Sequence, residues 1–204
     1  MENSKSKFRL YIENLWYHEK AKIIIFGVVI IFLIVCISQC SVKKNADVYM
    51  LYAGAETVTR TTVNDIQSKM PNFIPEDYNK DGAKEASFIQ FQFESGAKEE
   101  EQKQFDSEMF GGKAVILFLS PKDYKYCRKN NYIVPLKDVL GELPEIANDD
   151  YSINLFDLEC ATEMGVNMLP MDTVVCIAAR RESDSKTEYN NQVKFFEYMI
   201  TYGM

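Results

Sequence analysis

Asp77, Asn79 and Asp81 stand at alternate positions of the stretch EDYNKDG, residues 76–82, and Gly82 follows them. This spacing puts three oxygen-bearing side chains on one side of a tight bend, with Gly at the sixth place, which is the opening half of a calcium loop. The closing half is missing, because the twelfth place, where such a loop needs a bidentate Glu, is Phe88. Two readings stay open: an incomplete cage of Asp77, Asn79 and Asp81 that holds calcium weakly, and a plain turn in which Asp, Asn and Gly serve backbone geometry. Beyond this possible calcium site the sequence implies no cofactor.

Other chemistry is excluded by what the chain lacks. Its one histidine, His18, lies near the amino terminus, so the region after residue 42 has none. That removes Ser-His-Asp and Cys-His catalysis and the common zinc sites. The segment AGAETV lacks the glycines of a dinucleotide fingerprint and the lysine of a phosphate loop. Aspartates and glutamates abound, yet nothing singles out a catalytic pair. Of five cysteines, Cys127, Cys160 and Cys176 follow residue 42 at irregular spacing, which is no disulfide framework, although one pair could bridge. The expectation is a protein that is not an enzyme.

The elements that must position these residues begin with residues 23–42, IIIFGVVIIFLIVCISQCSV, which carry no charge and would cross one hydrocarbon core as a helix. Twenty-two residues precede the run and no small-x-small cleavage pattern follows it, which favours a retained anchor over a cleaved signal. The expected organisation is a cytoplasmic amphipathic flank over 1–22, a transmembrane helix over 23–42 and an extracellular domain over 43–204. Lys5, Lys7, Arg9, Lys20 and Lys22 before the run, against Lys43 and Lys44 after it, place the amino terminus in the cytoplasm of a single-pass protein of the cell membrane. The region after residue 42 has a net charge of −9, which argues against nucleic acid as a partner.

Within that region the hydrophobic periodicity alternates. VYMLY, residues 48–52, reads as a buried strand, and Val58, Thr62, Ile66 and Met70 mark one face of a helix closed by Pro71. A strand with one wetter side follows from Phe88, then an amphipathic helix ended by Gly111 and Gly112. The apolar run AVILFL, residues 114–119, reads as a central strand, and Ser120 and Pro121 cap and open the next helix. Tyr132 to Leu136 reads as an extended piece running into a helical turn, while 148–171 gives few period signals. A second continuously apolar strand opens after Asp172 and Thr173, and Tyr189, Val193, Phe196 and Ile200 form the stripe of the last helix. Alternation of this kind predicts one α/β domain on a mainly parallel sheet with right-handed crossovers.

This order of elements resembles the extracellular solute-binding proteins of bacterial transporters, which have the type II periplasmic-binding fold. VYMLYAG leading into AETVTRTTVNDIQSKM is similar to that family's opening strand, loop and helix. FDSEMFGGKAVILFLSPKDYKYCRKNNYIVPLKDVL is similar to a later segment of the family, with Asn131 in place of its last Gly, and DTVVCIAAR with YNNQVKFFEYMI is similar to its return into the first lobe. The likeness covers most of 47–202. Members of the family are about twice this length and close two lobes over a ligand, so the resemblance implies a single lobe, with a second having to fit into 148–171.

In an open parallel sheet, ligands bind beyond the carboxyl ends of the strands. That rule selects two loops, with Gly54, Ala55 and Glu56 in one and Ser120 and Asp123 in the other. The expected function is a non-catalytic module that binds or senses a small solute, or presents it to a partner. The alternative is an envelope scaffold or protein-interaction module that keeps the fold without binding solute. A polar crevice between the two loops favours the first, and an exposed apolar patch where a second lobe would have packed favours the second.

Overall fold

The computed structural model describes residues 16, 17, 19–22, 24–32, 45–92 and 99–203. The chain divides into two compact units, 1–44 and 45–204. In the first unit residues 24–32 are helical, and Ile24, Ile25, Phe26, Ile31 and Phe32 are all exposed. Among the described residues no helix is long and apolar enough to cross a membrane, which overturns the transmembrane helix expected over 23–42. The remainder of the expected span, residues 23 and 33–42, lies outside the described residues, as do residues 1–15 and 18 of the expected flank.

The second unit is α/β, as its periodicity predicts. Its strands are β1 (Val48–Gly54), β2 (Ala86–Gln92), β3 (Ile116–Leu119), β4 (Ala147–Asp149), β5 (Ser152–Asn154) and β6 (Val174–Ile177). Its helices are α1 (Arg60–Phe73), α2 (Glu99–Gly111), α3 (Pro121–Lys129), α4 (Leu136–Leu140) and α5 (Lys186–Thr201). The six strands form one sheet in the order β2-β1-β3-β6-β5-β4.

The sheet is mixed, not mainly parallel. β1 pairs in parallel with β2 and with β3, but β6 runs antiparallel to both β3 and β5, and β5 antiparallel to β4. The cause lies in 133–173, where the strand-helix alternation stops. A parallel return needs a crossover that carries the chain back along the sheet. Here α4 has only five residues and leads into the hairpin β4–β5. From β5 the chain makes three short 3₁₀ turns over 155–168 and re-enters the sheet at the end it left, with the Leu155 N–H donating to the Thr173 carbonyl at 3.0 Å. β6 therefore has to run backwards.

Two apolar layers hold the sheet. On one face Met50, Tyr52, Phe118, Val175 and Ile177 pack with Ile66 and Met70 of α1 and Phe195, Phe196 and Met199 of α5. On the other, Leu51, Leu117, Leu119 and Cys176 pack with Phe105 and Met109 of α2 and Cys127 of α3. Alternate side chains of each strand point to opposite faces, which is why neighbouring residues of β1 and β3 belong to different layers. Pro71 does not close α1; the helix runs on to Phe73, and the Ile74 N–H still reaches the Met70 carbonyl at 2.9 Å. A proline in the last turn removes one intrahelical bond and leaves the turn after it intact.

Candidate functional site

The two loops selected by the sequence do meet. β1 and β3 are neighbours, and the Ser120 N–H donates to the Ala53 carbonyl at 2.9 Å. Ser120 caps α3, its hydroxyl accepting from the Asp123 N–H at 3.2 Å and lying 2.6 Å from the carboxylate of Asp123, which is fully buried. Gly54 is buried and Ala55 and Glu56 are exposed. A Cβ on Gly54 would collide with the Tyr52 hydroxyl, so Gly is the residue that lets Tyr52 lie along the strand end. Burial, with Glu56, Asp172 and Asp123 adding negative potential, pushes the Tyr52 phenol up to about 12.

Reversal of β6 adds Asp172 and Thr173 to this end, because Val174 pairs with Leu119. Thr173 is 1 % exposed, and its hydroxyl is the one buried side-chain oxygen or nitrogen among the described residues with no hydrogen-bond partner. Sequence reasoning misses it because a parallel β6 would put it at the opposite end. Neither of the two cavities described reaches Gly54, Ala55, Glu56, Ser120 or Asp123.

Asp77, Asn79 and Asp81 form a turn whose oxygens are engaged by its own backbone. Asp77 accepts from the N–H groups of Lys80 at 2.6 Å and Gly82 at 2.8 Å, Asn79 from Asp81 at 2.9 Å, and Asp81 from Ala83 at 3.0 Å. Lys80 and Gly82 both have positive φ, 61° and 89°. Among the described residues no group of three or more His, Cys, Asp or Glu side chains is placed to hold a metal ion. The turn is fastened to the start of β1 by Asp47, which accepts from the N–H groups of Asn79 and Glu85, each at 2.9 Å, and by the Asn79 amide, which donates to the Asn45 carbonyl.

That attachment makes the turn one wall of a cavity of about 260 Å³ at the sheet end where β1 and β3 begin and β6 finishes. Tyr78 and Asn79 line it from the turn, Asp47 and Tyr49 from β1 and its approach, Lys113 from the approach to β3. The first turns of α5 close it through Ser185, Thr187, Glu188, Asn191 and Gln192. The rule that places ligands beyond strand carboxyl ends concerns parallel strands and points to the opposite end of the sheet, so this cavity is found from its geometry and not from that rule.

Each wall is held in place. Gln192, 4 % exposed, accepts from the Tyr49 N–H at 3.0 Å and donates to the Lys113 carbonyl at 3.3 Å, which ties α5 to β1 and β3 together. The Lys113 ammonium donates to Asn45 Oδ1 at 2.9 Å and sits 5.3 Å from the centre of the Tyr49 ring. Arg181 grips Asp184 through Nε at 3.0 Å and through its own backbone N–H at 2.9 Å, and its Nη2 donates to the Ala114 carbonyl at 3.3 Å. Ser185 caps α5. Tyr189 donates to the Ala178 carbonyl at 2.9 Å, and burial together with Asp184 pushes its phenol up to about 12 against the opposing pull of Arg180 and Arg181. Burial first, then Glu76, Asp47 and Glu197, raises the Tyr78 phenol to about 12.

The titratable groups shifted most are placed for structure. Cys127, Cys160 and Cys176 are free and buried, and burial pushes all three thiols up, Cys160 to about 12, so none is a thiolate at neutral pH. The raised phenols of Tyr78 and Tyr189 stay protonated at neutral pH, and that of Tyr189 serves as a hydrogen-bond donor. What the arrangement offers is a cavity of mixed polar and apolar lining with an amine, amides, phenols and carboxylates around it. No protein-family model, no curated protein and no solved structure matches this chain.

Proposed function

We propose that the 45–203 unit is a non-catalytic binding module for a small polar solute, held in the cavity between the EDYNKDG turn and the start of α5. The observation that carries this reading is the way Gln192, Asp47 and Arg181 brace three separate walls around a cavity of about 260 Å³ that has both polar and apolar lining. The volume suits a solute the size of an amino acid or a monosaccharide. Lys113 and the N–H groups opening α5 offer donors, while Asp47, Glu188 and the amide oxygens offer acceptors, so a neutral or zwitterionic solute finds both kinds of partner.

A thermal-shift screen of the full chain against amino acids, sugars and short peptides tests this reading, since a ligand bound only by the folded state raises the melting temperature. At a hundredfold excess over Kd the stabilisation is about 2.7 kcal/mol. Thr187 is exposed and lines the cavity, so Thr187→Trp fills the space without removing a contact, and is expected to abolish the shift. A panel that gives no shift, or a shift that Thr187→Trp leaves intact, rejects the cavity as the site.

A protein-docking role is the second reading. It is favoured by Met168 and Met171, 66 % and 83 % exposed, within the stretch where a second lobe would have had to fit.

A further inference from the structure

β2 is an edge strand, and the direction of each of its backbone groups follows from its neighbours. The Tyr49 and Ala53 carbonyls accept from the N–H groups of Val115 and Ser120, at 3.3 and 2.9 Å, so the odd-numbered residues of β1 turn their backbone to β3. The even-numbered ones face β2, where the Val48 N–H reaches the Glu85 carbonyl at 3.4 Å. Register runs unbroken from Val48 with Ala86 to Gly54 with Gln92, so the backbone groups of Ser87, Ile89 and Phe91 point to β1. Those of Ala86, Phe88, Gln90 and Gln92 point away from the sheet, and no hydrogen bond among the described residues engages them.

Sheet edges are usually blunted by charge, proline, a bulge or brevity. The opposite edge, β4, has three residues, one of them Asp149, and an irregular register with β5. β2 has seven, ASFIQFQ, with no charge, no proline and no bulge. Its side chains are anchored on both faces: Phe88 is buried in one layer, and Phe91 meets Phe105 of α2 edge-on in the other, with ring centres 6.0 Å apart. The strand is fixed through its side chains and unpaired along its outer backbone.

We propose that β2 pairs antiparallel with β2 of a second copy of the chain, joining the two sheets about a two-fold axis at Ile89. This register engages every outward residue: Phe88 exchanges both backbone hydrogen bonds with Gln90 of the second copy, and Ala86 does so with Gln92. Ile89 meets its own counterpart on the axis, and Ser87 meets Phe91, so no charged side chain of the strand stands opposite a like one. What selects a second copy over another extended segment is this self-matching, since the outward residues lie symmetrically about Ile89 and one uncharged strand serves as both halves.

Charge lies beside the strand. Lys84, before it, is held by the Ile74 and Pro75 carbonyls, each at 2.9 Å. α1 carries Arg60, Asp65 and Lys69, the last two paired at 2.8 Å. α2 carries Glu99, Glu100, Glu101, Asp106 and Glu108 against Lys103, which pairs with Glu99 at 2.7 Å. The two-fold sets both acidic α2 helices on one face of the joined sheet, a repulsion that salt screens. The solute cavity takes no part in this pairing.

The test is oxidative crosslinking of the purified full chain at physiological salt. Cys36→Ser and Cys40→Ser are introduced first, so that the cysteines left, Cys127, Cys160 and Cys176, are all buried. Ile89→Cys is expected to give a disulfide-linked dimer, because residues opposite each other in an antiparallel pair bring their Cβ atoms within about 5.5 Å. Ser87→Cys, whose counterpart is Phe91, is expected to stay monomeric. Gln90→Pro removes an outward N–H and no bond to β1, and its addition to Ile89→Cys is expected to slow crosslinking at least tenfold. Gln90→Lys/Gln92→Lys, at two exposed positions, is expected to do the same with an unchanged melting temperature, which keeps the test decisive if the proline variant does not fold. The proposal is overturned if Ile89→Cys gives no dimer, if Ser87→Cys links as fast, or if the lysine variant links at the unaltered rate. A monomer whose Ile89→Cys thiol resists a small alkylating reagent would name a segment of the same chain as the cover of β2, and would also overturn it.

Discussion

Burying a hydroxyl without a partner costs about 1–3 kcal/mol, so a chain that keeps one carries a local penalty. Thr173 is such a residue: 1 % exposed, with an unsatisfied Oγ1 at the mouth of β6. Thr173→Val replaces the hydroxyl by a methyl of nearly the same volume and is expected to stabilise the chain by about 1 kcal/mol, read from urea unfolding. A loss of stability instead would mean that the hydroxyl has a partner in solution. Gln192 is the opposite case, because its amide uses both its acceptor and its donor across the sheet end. At Asp77 the two carboxylate oxygens serve two backbone N–H groups, and that accounts for a spacing that otherwise suggests a metal. A calcium loop and an Asx-type turn ask for the same residues at the same places, so sequence alone does not separate them.

Among the elements, the hairpin β4–β5 depends on one carboxylate. Asp149 accepts from the hydroxyl of Tyr124 on α3, from the Ser152 hydroxyl at 2.9 Å and from the Tyr151 N–H at 2.9 Å, and Arg128 stands 3.7 Å away. Burial works to raise its pKa, but these hydrogen bonds and the Arg128 charge outweigh it, and the carboxyl titrates below its usual value. A depressed folded-state pKa contributes stability that is complete above the unfolded value, about 4, and is lost as pH falls through the folded one. Asp149→Asn is therefore expected to narrow the gap between urea midpoints measured at neutral pH and below about pH 3. An unchanged gap would remove Asp149 from the acid response.

This hairpin is hidden in the sequence because it is short and polar, AND and SIN joined by a tight turn, with too few residues for a period. β1, β3 and β6 are legible because strands covered on both faces are continuously apolar. The direction of β6 is not legible, since an apolar run reads the same whichever way it lies in the sheet. Direction follows from the return of the 155–173 excursion to the end it left, a fact of tertiary structure. The loops of Gly54 and Ser120 can be found by rule, whereas the brace between Tyr49 and Gln192 joins residues 143 positions apart, and no local signal links them.

Across the whole 45–203 unit, the mixed sheet gives the two ends different characters. The end where β1 and β3 finish bears Glu56 and Asp172 near a capped Ser120–Asp123 pair. The end where β6 finishes carries the braced cavity. Because β1, β2, β3 and β5 all run one way, a search confined to their carboxyl ends stops at the first. Solute binding at the second is the central claim. Backbone chemical-shift mapping of the full chain against a panel of amino acids and monosaccharides tests it most directly. Perturbations are expected at Asn45, Asp47, Tyr49 and Lys113 and through Ser185, Asn191 and Gln192; perturbations centred on Gly54, Glu56, Ser120 and Asp123, or none anywhere, would contradict it.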